Sequence, residues 1–140
     1  MKRSIKIETL QLVVGCLIVF IQLGAILLLI SRREFFEWNE LRNSLFSMSP
    51  ILFFSVTLVI KEFFRPNVPK QISVKVEYVR RRAFFLSVLI CIFFGFCLTL
   101  TILGFPSFFE THSQFHDGLM AVDTGVGVFL GAVVGRFFMK

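Results

Sequence analysis

Charge is scarce in this sequence. Only 17% of its 140 residues are Asp, Glu, Lys or Arg, against about a quarter in an ordinary soluble domain. The shortfall is local, because the charges are collected between long runs almost free of them, and that pattern excludes the surface of a water-soluble globule. Catalytic motifs are lacking as well. There is no phosphate-binding glycine loop, no nucleophile beside a base and no paired catalytic carboxylates, so the chain reads as non-enzymatic and without a cofactor. Cysteine is sparse: Cys16, Cys91 and Cys97 all fall inside apolar runs, without the spacing of a disulfide framework or a metal site, and read as small buried hydrophobes. Val13-Val14-Gly15-Cys16 resembles a lipoprotein cleavage box. The apolar run continues past it to Ile30, however, which makes the segment a membrane helix.

Apolar residues fill what charge leaves. They make up 56% of the chain, 20 of them are Phe, and the mean hydropathy is +0.81. Four runs stand out: Leu10–Ile30, Leu45–Ile60, Ala83–Phe105 and Leu119–Phe138. At about 1.5 Å per residue, some 20 helical residues cross a hydrocarbon core of about 30 Å. The second run is short and becomes long enough if Lys61 snorkels and Phe63 and Phe64 lie at the interface. The expected fold is an all-α integral membrane protein, a four-helix transmembrane bundle forming a single membrane domain over residues 1–140.

The net charge of +6 does not point to nucleic acid, because the basic residues flank apolar runs and form no separate basic domain. They do orient the chain. Lys2, Arg3 and Lys6, the seven cations from Lys61 to Arg82, and Arg136 with Lys140 place twelve on one side. The other side has three, Arg32, Arg33 and Arg42, matched by Glu34, Glu37 and Glu40. The positive-inside rule then puts both termini in the cytoplasm of a multi-pass protein of the cell inner (plasma) membrane.

A near-repetition divides the chain. Ser4-Ile5-Lys6-Ile7-Glu8 precedes the first run and Ser73-Val74-Lys75-Val76-Glu77 the third. Phe-Phe-Glu opens both outer loops, and a Phe pair beside a cation closes both second spans, at offsets of 69, 73 and 74 residues. Two tandem helical hairpins are expected, 1–64 and 83–140, joined by a cytoplasmic linker 65–82. Inserted the same way round, they would be related by a pseudo-twofold axis along the membrane normal. The pentapeptides alternate apolar and polar as strands do. They could form a short cytoplasmic β-pair or add to a partner's sheet edge, unless 71–82 extends the third helix inward. Arg65-Pro66-Asn67-Val68-Pro69 breaks the helix in either case.

Several residues invite a role. Gly127, Gly131 and Gly135, with Gly125 just ahead, recur every four residues as a glycine zipper, a groove for close helix packing within or between copies. Asp123 lies about two turns into the fourth run and needs a partner, for which Gln22, Thr99 and Thr101 are the candidates. It is either an ion, proton or sensor site, or a hydrogen-bonded aspartate near a helix start. His112 and His116, four apart beside Glu110 and Asp117, are weak metal candidates in what reads as an exposed loop. Residues 33–46 read as an amphipathic helix on the outer surface, with Phe35, Trp38 and Leu41 facing the interface. Lys6, Arg65, Lys70, Lys75, Arg80, Arg81 and Arg82 form a basic cytoplasmic face for anionic headgroups or a soluble protein.

In architecture and size the chain resembles the small four-span membrane components of bacterial phage-exclusion and defence systems. That resemblance implies a setting in phage defence or stress. The residues imply an oligomeric platform or sensor that docks a soluble cytoplasmic partner, or, in the competing class, a pore-forming subunit that conducts ions.

Overall fold

A computed structural model describes residues 4–64 and 78–135. Arg65, Lys70 and Lys75, and the Ser73–Glu77 pentapeptide, lie outside the described residues. Within them run β1 (Ser4–Lys6), α1 (Ile7–Ser31), α2 (Trp38–Phe63), β2 (Tyr78–Arg80), α3 (Arg81–Gly104) and α4 (His112–Gly135), with a single 3-10 turn at Arg33–Phe35. All four helices are long and apolar enough to cross a membrane. By length and composition the chain is a multi-pass membrane protein.

All four helices start before their apolar runs, α2 and α4 by seven residues each. α2 begins at Trp38, not Leu45, and continues unbroken to Phe63. Of the expected surface helix over 33–46, residues 38–46 are therefore the first part of α2, and Arg33–Phe35 is the 3-10 turn before it. The Glu37 N–H donates to the Glu40 carboxylate at 2.9 Å, which satisfies a free amide where α2 starts. Leu41 is corrected with it: only 7% exposed, it is a core residue and not an interface anchor. With Ser44 and Met48 it follows the three- and four-residue steps of a stripe facing inward. Phe35 and Trp38 do stay exposed. α2 also runs through Pro50. Proline has no N–H for the Phe46 carbonyl four residues back. The Ser49 hydroxyl donates to that carbonyl instead, at 2.8 Å.

α4 likewise begins at His112, so His112, His116 and Asp117 are helical and not loop. At the other end of the bundle, β1 pairs antiparallel with β2, Ser4 opposite Arg80, Ile5 opposite Val79 and Lys6 opposite Tyr78. The short β-pair exists, formed from Tyr78–Arg80 just before α3. An inward extension of α3 is excluded for those three residues.

α1 packs on α2 and α3, and α4 packs on α3 and α2, closing a ring with α1 and α4 at opposite corners. A twofold through the centre of such a ring exchanges opposite corners, so it does not exchange α1 with its neighbour α3. These contacts lend no support to the expected pseudo-twofold. Gly15 lets α1 and α2 meet closely, since a Cβ there would stand 3.1 Å from Val59.

The core has two apolar clusters. One, toward the loop end, joins Ala25, Leu29, Met48, Leu98, Ile102 and Phe115 with their neighbours. The other, toward the β-pair, joins Leu10, Val14, Ile18, Cys91, Val126 and Leu130. Phe20, Leu27, Phe53, Leu89, Phe96 and Val128 point outward, as lipid-facing side chains do.

Candidate functional site

The inward stripe of α1 reads Val14, Ile18, Gln22, Ala25, Leu29, and that of α4 reads Phe115, Leu119, Asp123, Val126, Leu130. Each helix therefore presents one polar side chain where its helical spacing calls for an apolar one. The two meet across the ring. Gln22 Nε2 donates to Asp123 Oδ1 at 3.0 Å, joining opposite corners of the bundle between the two apolar clusters. Gln22 is 1% exposed and Asp123 5%. Asp123 is the twelfth of the 24 residues of α4, so it is hydrogen-bonded as one reading expected but lies in the middle of the helix and not at its start.

Of the three candidate partners, Gln22 is the one that reaches Asp123. The Thr99 hydroxyl donates to the Gly95 carbonyl and the Thr101 hydroxyl to Cys97, each at 2.9 Å within α3. Asp123 Oδ2 and Gln22 Oε1 have no partner among the described residues. A groove of about 420 Å³ between α2 and α4 reaches this layer, with Ser47 and Ile51 on one wall and Met120, Asp123, Thr124 and Gly127 on the other.

The glycines of α4 divide among different neighbours. A Cβ on Gly125 would stand 2.9 Å from the Phe94 ring of α3, which needs that space. Gly127 faces Ile51 of α2, and around Gly131 nothing lies within 4 Å. Gly135 is the last described residue of the helix. One continuous groove face was expected; the structure gives an internal contact at Gly125, a groove floor at Gly127 and an open position at Gly131.

The β-pair organises the basic end. Val79 packs against the cluster toward the β-pair, and strand alternation turns its sequence neighbour Arg80 to the opposite face, as it turns Lys6 away from Ile5, the residue opposite Val79. Lys6, Arg80, Arg81 and Arg82 are all exposed there. The Arg81 guanidinium lies 5.4 Å from the centre of the exposed Phe85 ring.

At the loop end Arg32, read from sequence as one more loop cation, clasps the end of α3. Nη1 donates to the Leu103 carbonyl at 3.0 Å and Nη2 to the Phe105 carbonyl at 2.9 Å. A cation there satisfies carbonyls without helical partners and meets the negative end of the helix dipole. Its only sequence signal is a position one residue past α1. Phe36 stacks on Phe105 at 4.9 Å, and both rings contact Phe115 and His112. His112 Nδ1 lies 3.6 Å from the Glu40 carboxylate, too long for a hydrogen bond. His116 lines the same shallow pocket. Among the described residues no three His, Cys, Asp or Glu side chains gather to hold a metal ion. The three cysteines are free.

No protein-family model, curated protein or solved structure matches the chain.

Proposed function

We propose that this protein is an oligomeric inner-membrane platform that docks a soluble cytoplasmic partner through its basic end. The observation that carries the reading is the gathering of exposed Lys6, Arg80, Arg81 and Arg82 by a β-pair only three residues long. The positive-inside count supports a cytoplasmic position for that end and for both termini. Anionic headgroups there neutralise the cations nearest the bilayer, and the remainder faces an acidic protein surface. Arg65, Lys70 and Lys75 of the linker extend the same face in sequence. The near-repetition, with α1 beside α3 and α2 beside α4, supports two tandem hairpins inserted in one sense. The architectural resemblance stated above makes phage defence or stress the setting of the partner.

The test is co-purification from cross-linked membranes of the wild type and of a variant with Arg80, Arg81 and Arg82 changed to Glu. A soluble protein captured stoichiometrically by the wild type and lost with the charge reversal supports the platform; equal capture by both sinks it.

A second reading, a pore-forming subunit that conducts ions, is favoured by the mid-span Asp123 and its groove. Against it, apolar clusters fill the bundle on both sides of the Gln22–Asp123 layer, so conduction would need a path between copies. Ion flux into vesicles carrying the wild type or Asp123→Asn separates the two readings, since no flux from either protein removes the pore.

A further inference from the structure

The α2/α4 groove leaves an acceptor unused. Asp123 Oδ2 is buried and unpartnered, and Asp123 is one of the residues lining the groove, with Ser47, Thr124 and Gly127. In hydrocarbon an unmet carboxylate oxygen is costly, so a donor is expected from whatever fills the groove. The outer face of α4 beside it carries exposed Ala121, Thr124, Gly131 and Ala132. Small residues let another helix approach closely, and Gly127 with Gly131 has the spacing that favours this.

We infer that this groove is where a second copy of the chain packs, α4 against α4 about a twofold along the membrane normal, with Thr124 of each copy donating to Asp123 Oδ2 of the other. The inference rests on the oligomeric part of the platform reading and names its interface. Complementarity selects this occupant. Two copies inserted in the same sense bring the same residues to the same depth, so the hydroxyl of Thr124, one residue from Asp123, arrives level with the opposite carboxylate. A lipid acyl chain fills space but offers no donor. The Thr124 hydroxyl now donates to the Met120 carbonyl at 2.7 Å, a bond within its own helix turn that a rotamer change exchanges for the intermolecular one. A contact of this kind uses the same patch on both copies and closes at two.

The structure supplies matched probes. Gly131 and Gly24 both have nothing within 4 Å of an added Cβ, yet Gly131 lies on the inferred interface and Gly24 on α1. Neither position has a neighbour in the monomer that a first side-chain carbon would meet. The measurement is energy transfer between donor- and acceptor-tagged full-length protein in vesicles over a range of protein-to-lipid ratios. Gly131→Leu is expected to weaken self-association more than tenfold, and Gly24→Leu to leave it unchanged. Thr124→Val is expected to weaken it roughly sevenfold, as two interhelical hydrogen bonds of ordinary bilayer strength imply, and Thr124→Ser to restore it. If the wild type associates but Gly131→Leu and Thr124→Val match it, or Gly24→Leu is equally disruptive, this interface is wrong while the platform stands. If the wild type shows only random proximity at every ratio, the interface and the oligomeric part of the platform fall together. Neither result bears on partner capture, which is read separately.

Discussion

The two ends of the bundle are built in opposite ways. At the loop end, the Arg32 guanidinium holds two carbonyls at the end of α3, and Phe36, Phe105 and Phe115 close over the top. At the basic end, a pair of three-residue strands ties the start of α1 to the start of α3, and the cations around it stay exposed. A two-stranded ribbon this short has little stability of its own. One end spends its side chains on holding itself together and the other on presenting charge, so stability and function should map to different ends.

The sharpest way to break that contrast is to remove a ring from the loop end. Phe115, fully buried among four aromatic neighbours, should cost about 3–5 kcal/mol as Phe115→Ala, read from denaturant titration in mixed micelles. Arg32→Ala comes next, at about 2 kcal/mol for two charge-assisted hydrogen bonds. Arg32→Lys should recover only part of this, since one ammonium cannot reproduce the forked geometry. In the layer between the ends, a double-mutant cycle on Gln22→Leu and Asp123→Leu should return a coupling of about 1 kcal/mol. Val79→Pro should cost least, under about 1 kcal/mol, while hydrogen exchange speeds up at the amides of β1 and β2. A loss on Val79→Pro equal to that on Phe115→Ala would show that the basic end is structural too.

The four helices were legible because hydropathy and length suffice to find a span. Their ends were not, because the apolar runs mark where lipid begins and not where the helix does. Residues 33–46 repeat every three or four positions whether they lie on a membrane or continue into it, and period alone carries no tilt. Leu41 was misassigned for that reason, and His112 and His116 because a polar first turn of α4 reads as loop. Asp123 was recognised as needing a partner, and Gln22 was among those named. What depth alone could not supply was the direction of each side chain. Thr99 points outward, whereas Gln22 falls on the same inward stripe as Ile18 and Ala25. The Phe94 ring against Gly125 and the clasp by Arg32 depend on which helices are neighbours, and one sequence holds no signal of that.

The Gln22–Asp123 bond has a consequence in time. Its two residues are 101 positions apart, and a ribosome adding about 5–20 residues per second takes roughly 5–20 seconds between them. Throughout that interval the intended acceptor of the Gln22 amide is not yet made. A nascent chain stopped before α4 would display a bare polar group at mid-membrane. The completed chain hides it. The pair is therefore satisfied only once α4 has been made and has reached its place across the bundle from α1.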